Sequence, residues 1–330
     1  MEYRRLGMSD LKVSAITLGA WGIGGFMWGG QREDDAIRAI QQSIDLGVTT
    51  IDTAPVYGTG RSEERVGKGI ASYPRDKLQI LTKYGLRWDG KGEGYFSMKD
   101  ADGSTRVIVK NGKRESIIEE CEASLKRLGT DYIDLYQQHW PLPNAPVEES
   151  MEAVDQLLKQ GKIRAVGVSN FDVALIERAR KVVPIASLQP PYSMINRGVE
   201  DELLPYCVKH RIGVVVYSPL QRGLLTGKVT MDRQFPETDH RGFDKYFKPG
   251  NRRKVLDFLE KIKPIAEAHD ATLAQLVINW TIHRDGITAA LVGARNEKQA
   301  EENAKAADFT LTDEETREID RLVDGLVLDV

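Results

Sequence analysis

Three short apolar runs each end on residues that titrate or polarise. One ends Ile51-Asp52-Thr53-Ala54-Pro55-Val56-Tyr57-Gly58, the next Leu81-Thr82-Lys83-Tyr84-Gly85, and the third Tyr136-Gln137-Gln138-His139-Trp140-Pro141. Taken alone, Asp52 and Lys83 read as a buried ion pair, and Tyr57 and His139 as amphipathic filling. Brought together at adjacent ends of successive elements, the four make a coherent acid. A phenol with a solution pKa of about 10 gives up its proton poorly near neutral pH. A neighbouring ammonium favours the phenolate, and a carboxylate holds that ammonium in place. A neutral imidazole beside the phenol can orient a carbonyl oxygen by hydrogen bonding. Such a group protonates an oxygen as it gains charge, which suits carbonyl reduction by hydride transfer.

Those residues need a scaffold that brings them to one rim. A unit of apolar run, polar turn and amphipathic helix recurs along the chain. The runs are Val13–Leu18, Val48–Asp52, Leu78–Lys83, Tyr132–Tyr136, Ala165–Ser169, Ile185–Gln189, Ile212–Ser218 and Ile287–Val292. Most are continuously apolar, as parallel strands covered by helices are. Helix candidates include Glu33–Leu46, Glu115–Leu128, Val147–Lys159, Val173–Lys181 and Gln299–Ala306, and Gly129 sits where a C-cap glycine belongs. Eight such units predict an α/β fold, a (β/α)8 TIM barrel spanning 1–330 as a single domain. A doubly wound open sheet is the alternative, but Gly22-Ile23-Gly24 is followed by Met27 where its nucleotide fingerprint needs a third glycine. Two connections are long: Gly85–Gly112 after strand three and Pro219–Gly286 after strand seven, the latter holding a loop and two helices. The residues before Val13 are expected to form a hairpin that plugs the opposite end.

Composition narrows the function further. In 330 residues, 46 Lys+Arg against 49 Asp+Glu leave a formal charge of −3 and a pI near 6.1. That balance favours neither nucleic acid nor an anionic membrane as partner. Two cysteines, Cys121 and Cys207, form no framework, and no leader or membrane-length apolar run stands out, so a cytoplasmic setting is expected. The five histidines show no ligand spacing, so no metal is expected.

Several further segments occur in order: Glu63-Glu64-Arg65-Val66-Gly67, Gly167-Val168-Ser169-Asn170-Phe171, Gln189-Pro190-Pro191-Tyr192-Ser193, Tyr217-Ser218-Pro219-Leu220, Gly223-Leu224-Leu225-Thr226-Gly227-Lys228 and Gly293-Ala294-Arg295 followed by Glu302-Asn303. With Asp52–Gly58 they resemble the aldo-keto reductase superfamily, in particular its bacterial branch of general stress and inositol-linked reductases. The resemblance runs from about Arg4 to Leu311 and implies a barrel that binds NADP(H) extended. It implies Asp52, Tyr57, Lys83 and His139 as a catalytic tetrad, with Tyr57 the proton donor. It implies that Ser169, Asn170 and Gln189 hold the nicotinamide carboxamide and that Tyr217 stacks under the ring. Ser218, Pro219, Leu220, Gly223 and Lys228 fall around the pyrophosphate, and Gly293, Arg295, Gln299, Glu302 and Asn303 at the adenosine end. Trp21 counts both as a cofactor contact and as a pocket wall. The chain departs from the mammalian enzymes, which carry a lysine-serine pair where Gly293-Ala294 stands. A 2′-phosphate would then rest on Arg295, which favours NADP, with NAD as the alternative.

Trp21, Trp28, Trp88 and Trp140 are expected to wall the substrate pocket, which suits a sugar, a hydroxyaldehyde or an aromatic aldehyde. Glycines in 85–112, together with Trp88, Tyr95 and Phe96, predict a mobile lid in which Ile108 tolerates replacement. Two rival readings are a lyase with a Schiff base on Lys83 and a cofactor-binding regulatory subunit like the accessory barrels of potassium channels. The partner expected is a small-molecule carbonyl or alcohol, with the protein a monomer or a small homo-oligomer.

Overall fold

The computed structural model describes residues 1–330. A hairpin of β1 (Tyr3–Arg5) and β2 (Lys12–Ser14) precedes three barrel strands, β3 (Ile16–Gly19), β4 (Thr50–Asp52) and β5 (Gln79–Tyr84). A separate antiparallel sheet follows, made of β6 (Leu86–Arg87), β7 (Glu93–Lys99) and β8 (Thr105–Lys110). The barrel then resumes with β9 (Ile133–Gln138), β10 (Ile163–Ser169), β11 (Ile185–Gln189), β12 (Gly213–Tyr217) and β13 (Ala289–Val292). Its eight strands are parallel and close on themselves where β13 pairs with β3.

The helices lie between the strands in the alternating order the sequence predicts. After β3 come α1 (Trp21–Gly24) and α2 (Glu33–Asp45), and after β4 comes α3 (Arg61–Ile70). The next are α4 (Arg114–Leu128), α5 (Val147–Lys159), α6 (Val173–Ala179) and α7 (Leu203–His210). Two helices, α8 (Pro249–Ala268) and α9 (Leu273–Ile282), fill the long connection after β12; α10 (Glu297–Ala304) and α11 (Asp313–Asp324) follow β13. In α4, Ile117, Cys121 and Leu128 are buried on one face, and Gly129 ends the helix at φ 64°, a left-handed position that glycine takes without strain. No helix is long and apolar enough to cross a membrane.

Two apolar zones hold the barrel. The larger lies between strands and helices; the smaller fills the lumen with Leu81, Leu135, Ala165, Ala186, Val215, Ala289 and Leu291. Leu6, Leu11 and Val13 of the hairpin join this luminal cluster, so the hairpin plugs the barrel's N-terminal end as expected. Polar residues are thereby left to the carboxyl ends, where barrel enzymes place their chemistry.

Element ends shift by a few residues from the sequence reading, and three differences bear on the site. The run Val13–Leu18 is split: Val13 and Ser14 belong to the hairpin, and Ser14 exchanges hydrogen bonds with Thr50 instead of continuing the strand. The fourth barrel strand runs past Tyr136 to Gln138, because Gln137 and Gln138 pair with Lys83 and Tyr84. Residues 85–112 form the β6–β8–β7 sheet and not a loop. Buried Asp100 accepts two hydrogen bonds from Arg61 (2.7 and 2.9 Å) and one from Arg106 (3.4 Å), which ties the β7–β8 turn to α3. The turn of the expected lid is thereby anchored to α3.

Candidate active site

The tetrad residues come from the ends of β4, β5 and β9. The register sets Gly19 beside Asp52, Asp52 beside Leu81, and Lys83 beside Gln137, so the polar side chains arrive at one level. Lys83 is fully buried and its ammonium has three acceptors: Asp52 Oδ1 at 2.5 Å, the Thr53 carbonyl at 2.9 Å and the Tyr57 hydroxyl at 3.3 Å. Its three hydrogens are all used. The His139 ring stands edge-on to Tyr57, with centroids 5.6 Å apart.

Sequence reasoning missed the support beneath Asp52. Gln137 and Gln189 both donate to Asp52 Oδ2, at 3.1 and 2.9 Å, and Gln189 also reaches Gln137 Oε1 at 3.2 Å. The carboxylate is thus held on both oxygens. The signal was the pair of amides Gln137-Gln138 between the apolar run and His139.

Burial sets the protonation of the group. It pushes the Tyr57 phenol well above its ordinary value, and the Asp52 charge adds to this. The sequence reading had Lys83 lowering the phenol; here desolvation of the phenolate outweighs the ammonium. Burial also drives His139 well below the usual imidazole value, with Lys83 contributing, and lowers Lys83. Tyr57 is therefore protonated and His139 neutral near pH 7.

A cavity of about 620 Å3 opens above these residues. Asp52, Tyr57 and His139 line it, with Lys83 behind them. So do all the positions matched to the cofactor: Trp21, Ser169, Asn170, Gln189, Tyr217, Ser218, Pro219, Leu220, Gly223, Lys228, Gly293, Arg295, Gln299, Glu302 and Asn303. Trp28 and Trp140 line it as expected. Trp88 does not: it packs partly buried under Arg127, 5.8 Å from the guanidinium, and is no pocket wall. Tyr95 and Phe96 of β7 take part in the wall, together with Phe26, Met27, Val56, Leu86, Arg222 and Arg241.

Several lining side chains are fixed by one another. Tyr217 donates to Asn170 Oδ1 at 2.9 Å, and Asn170 Nδ2 reaches the His139 carbonyl and Ser169 Oγ, both at 3.0 Å. Asn170, Ser218, Gln221 and Arg222 all have positive φ, a concentration of left-handed backbone of the kind functional turns carry. Lys228 pairs with Glu302 at 2.6 Å. Arg295 donates to Gln31 Oε1 at 2.7 Å, to the Trp28 carbonyl at 3.3 Å and to the Gly30 carbonyl, so three of its five N–H groups secure the loop after α1.

An acid of this form at the carboxyl rim of a closed parallel barrel defines a class. The model of the Aldo/keto reductase family matches residues 15–324, and the chain belongs to that family. It is accordingly an oxidoreductase of the aldo-keto reductase type. It is 38% identical to Aldo-keto reductase YhdN of Bacillus subtilis (strain 168) over 331 residues, covering 100% of this chain and 96% of that protein. It is 36% identical to the NADH-specific methylglyoxal reductase of Escherichia coli (strain K12), covering 93% of this chain and 94% of that one. Among solved structures it is similar to the glycerol dehydrogenase AKR11B4 from Gluconobacter oxydans, with a TM-score of 0.87, 37% identity, and 98% and 95% of the two chains covered.

Proposed function

We propose that this protein reduces an aldehyde or ketone to its alcohol with a nicotinamide cofactor, preferring NADPH and accepting NADH, and that Tyr57 gives the proton. One observation carries the reading: Lys83 joins Asp52 to the Tyr57 hydroxyl while His139 stands beside the same phenol at the cavity wall. The donor set supports an extended dinucleotide. Amides and hydroxyls of Ser169, Asn170 and Gln189 lie nearest the tetrad and suit a carboxamide. Cationic Arg222, Lys228 and Arg241 suit a pyrophosphate. Gln299, Asn303 and the free N–H groups of Arg295 suit the adenosine end. A relative named NADH-specific methylglyoxal reductase supports the second cofactor and a small carbonyl substrate.

The bound reduced nicotinamide supplies the hydride. Everything else falls to the chain. Neutral His139 orients the carbonyl oxygen by a hydrogen bond. Tyr57, held protonated by burial, transfers its proton to that oxygen as negative charge develops there. The phenolate left behind faces the Lys83 ammonium, whose position Asp52 fixes, and Gln137 and Gln189 in turn fix Asp52. Trp21 and Trp140 exclude water from the reacting oxygen.

The test is Tyr57→Phe, assayed by loss of reduced-nicotinamide absorbance over a panel of aldehydes. Carbonyl reduction is expected to fall by at least about two orders of magnitude while cofactor affinity, read by fluorescence titration, stays unchanged. Near wild-type rates in this variant would overturn the assignment.

A further inference from the structure

Ser62 and Glu63, in the first turn of α3, stand outside the cavity, and both are fully buried. Ser62 bonds three ways. Its backbone N–H donates to the Tyr57 carbonyl at 3.1 Å. Its hydroxyl donates to the Ala20 carbonyl at 2.8 Å, which can only accept, so the hydroxyl in turn accepts from Thr53 Oγ1, also at 2.8 Å. Glu63 bonds two ways: Oε1 accepts from Thr82 Oγ1 and Oε2 from Arg127 Nε, both at 2.6 Å. An ion pair with Arg127 is enough to hold α3 to α4. The second carboxylate oxygen is spent on a barrel strand instead.

The partners share one property. Thr53 follows Asp52 in the chain, and its carbonyl is one of the three acceptors of the Lys83 ammonium. Thr82 precedes Lys83, so along β5 its side chain faces the helices while that of Lys83 faces the lumen. Ala20 donates its N–H to the Asp52 carbonyl at 2.8 Å. Each bond from Ser62 or Glu63 toward the barrel therefore ends on a tetrad residue, on its chain neighbour, or on a residue bonded to it. The connecting turn is also constrained: Gly58, Thr59 and Gly60 have φ of 69°, 54° and 100°, and Thr59 takes this left-handed position without being glycine. Glu63 acts through charge as well. Burial lowers Lys83, and the Asp52 and Glu63 carboxylates oppose it.

We propose that Ser62 and Glu63 are positioning residues of the reductase, which fix from behind the barrel the distance between the Tyr57 hydroxyl and the Lys83 ammonium. This rests on the reductase reading above and adds two residues to the machinery of that same site.

The test leaves the tetrad untouched and keeps Glu63 in place, because breaking a buried ion pair would endanger the fold. Thr82→Val keeps the shape and loses the hydroxyl, Thr82→Ser restores the hydroxyl, and Ser62→Ala removes the link to Thr53. Each variant is measured by single-turnover oxidation of reduced cofactor with the aldehyde that wild type reduces fastest, by KM, by cofactor fluorescence titration and by melting temperature. In Thr82→Val and Ser62→Ala the single-turnover rate is expected to fall about tenfold or more, with KM and cofactor affinity within about twofold of wild type. Thr82→Ser is expected to stay within about twofold of the wild-type rate. A lowered melting temperature with wild-type single-turnover rates overturns the proposal and leaves the pair as braces of the fold. Equal losses in rate and cofactor affinity also overturn it, as general distortion, and so does a Thr82→Ser variant as slow as Thr82→Val. Wild-type protein that reduces no aldehyde with either cofactor refutes the reductase reading itself, and the proposal with it.

Discussion

Gly24 touches Tyr57 backbone to backbone. A β-carbon on Gly24 would stand 2.6 Å from both the carbonyl carbon and the carbonyl oxygen of Tyr57, a distance real side chains do not occupy. The last turn of α1 thus fixes the height of the loop that carries the phenol, while Lys83 approaches from below. Gly24→Ala is expected to displace Tyr57 and lower kcat by about tenfold to a hundredfold, since misplacement on the ångström scale costs that much. The same backbone displacement is expected to lower the melting temperature, while cofactor affinity should be spared. Unchanged kcat in a folded Gly24→Ala protein would show that the loop adjusts at no catalytic cost.

Arg295 separates two functions that its position combines. Three of its N–H groups hold the loop Trp28–Gln31, and the remaining two are available to a phosphate. Arg295→Ala is expected to weaken NADPH by about 2 kcal/mol, as truncating one partner of a hydrogen-bonded charge pair does, and NADH much less. Arg295→Lys keeps the charge without the fork and should restore NADPH only in part. Equal losses for both cofactors would leave Arg295 as a loop latch only, and NADP preference without its main support.

The barrel was legible because its signal is periodic: eight apolar runs, each followed by a turn and an amphipathic helix, admit few architectures. The meeting of these four residues was legible because Asp52, Lys83 and His139 end such runs, and Tyr57 sits a turn further on. What failed to show has no local signature. Gln137 and Gln138 are amides that break the apolar run at Tyr136, and only pairing across to Lys83 and Tyr84 makes them strand. The sheet after β5 was hidden by its glycines and charges, although Val107-Ile108-Val109 carried a β-branched signal. His240 joins Trp21 and Trp28 only because its backbone N–H and its Nδ1 both donate to the Met27 carbonyl, across more than 200 positions of chain. Trp88 misled for the opposite reason. An aromatic in a loop next to a site reads as a wall, and here Arg127 draws it to the outside.

Stability should depend on pH through Glu120. This buried carboxyl accepts from the Gly85 backbone N–H at 2.9 Å and from Ser116 Oγ at 3.0 Å, and burial pushes it up to about 7. Its folded value lies above the unfolded one, so the folded protein holds this proton more tightly. The stabilisation is full below the unfolded value and is lost as pH rises through about 7, by roughly 3 kcal/mol in all. Glu120→Gln imitates the protonated acid. It is expected to raise the melting temperature by a few degrees at pH 8 relative to wild type and to change it little at pH 4. A difference independent of pH would mean that Glu120 does not titrate in this range.

The sheet after β5 is expected to act through shape, not motion. Ile108 is fully buried against Phe26, Ala54, Val56 and Leu86, directly behind the loop that carries Tyr57. Ile108→Ala is therefore expected to destabilise the protein by about 2–4 kcal/mol, the cost of a cavity in a packed cluster, where sequence alone suggested tolerance. Phe96, the partner of Ile108 across the β7–β8 register, packs against the same cluster and with Tyr95 lines the cavity, and Tyr95 lies 6.1 Å from Trp140. Lys110 sits 4.1 Å above the Tyr95 ring and stiffens it. Phe96→Ala should then enlarge the outer pocket without touching the cofactor positions on the far strands. KM is expected to rise several-fold for large aldehydes, whose far end rests on that wall, and to stay nearly constant for methylglyoxal, which is too short to reach it. A pinned wall also predicts that solvent viscosity leaves this size dependence unchanged, whereas a gating lid would make large substrates the more viscosity-sensitive. Equal KM changes across substrate sizes would place substrate entirely against Trp21, Trp28 and Trp140 and reduce the sheet to a brace for the Tyr57 loop.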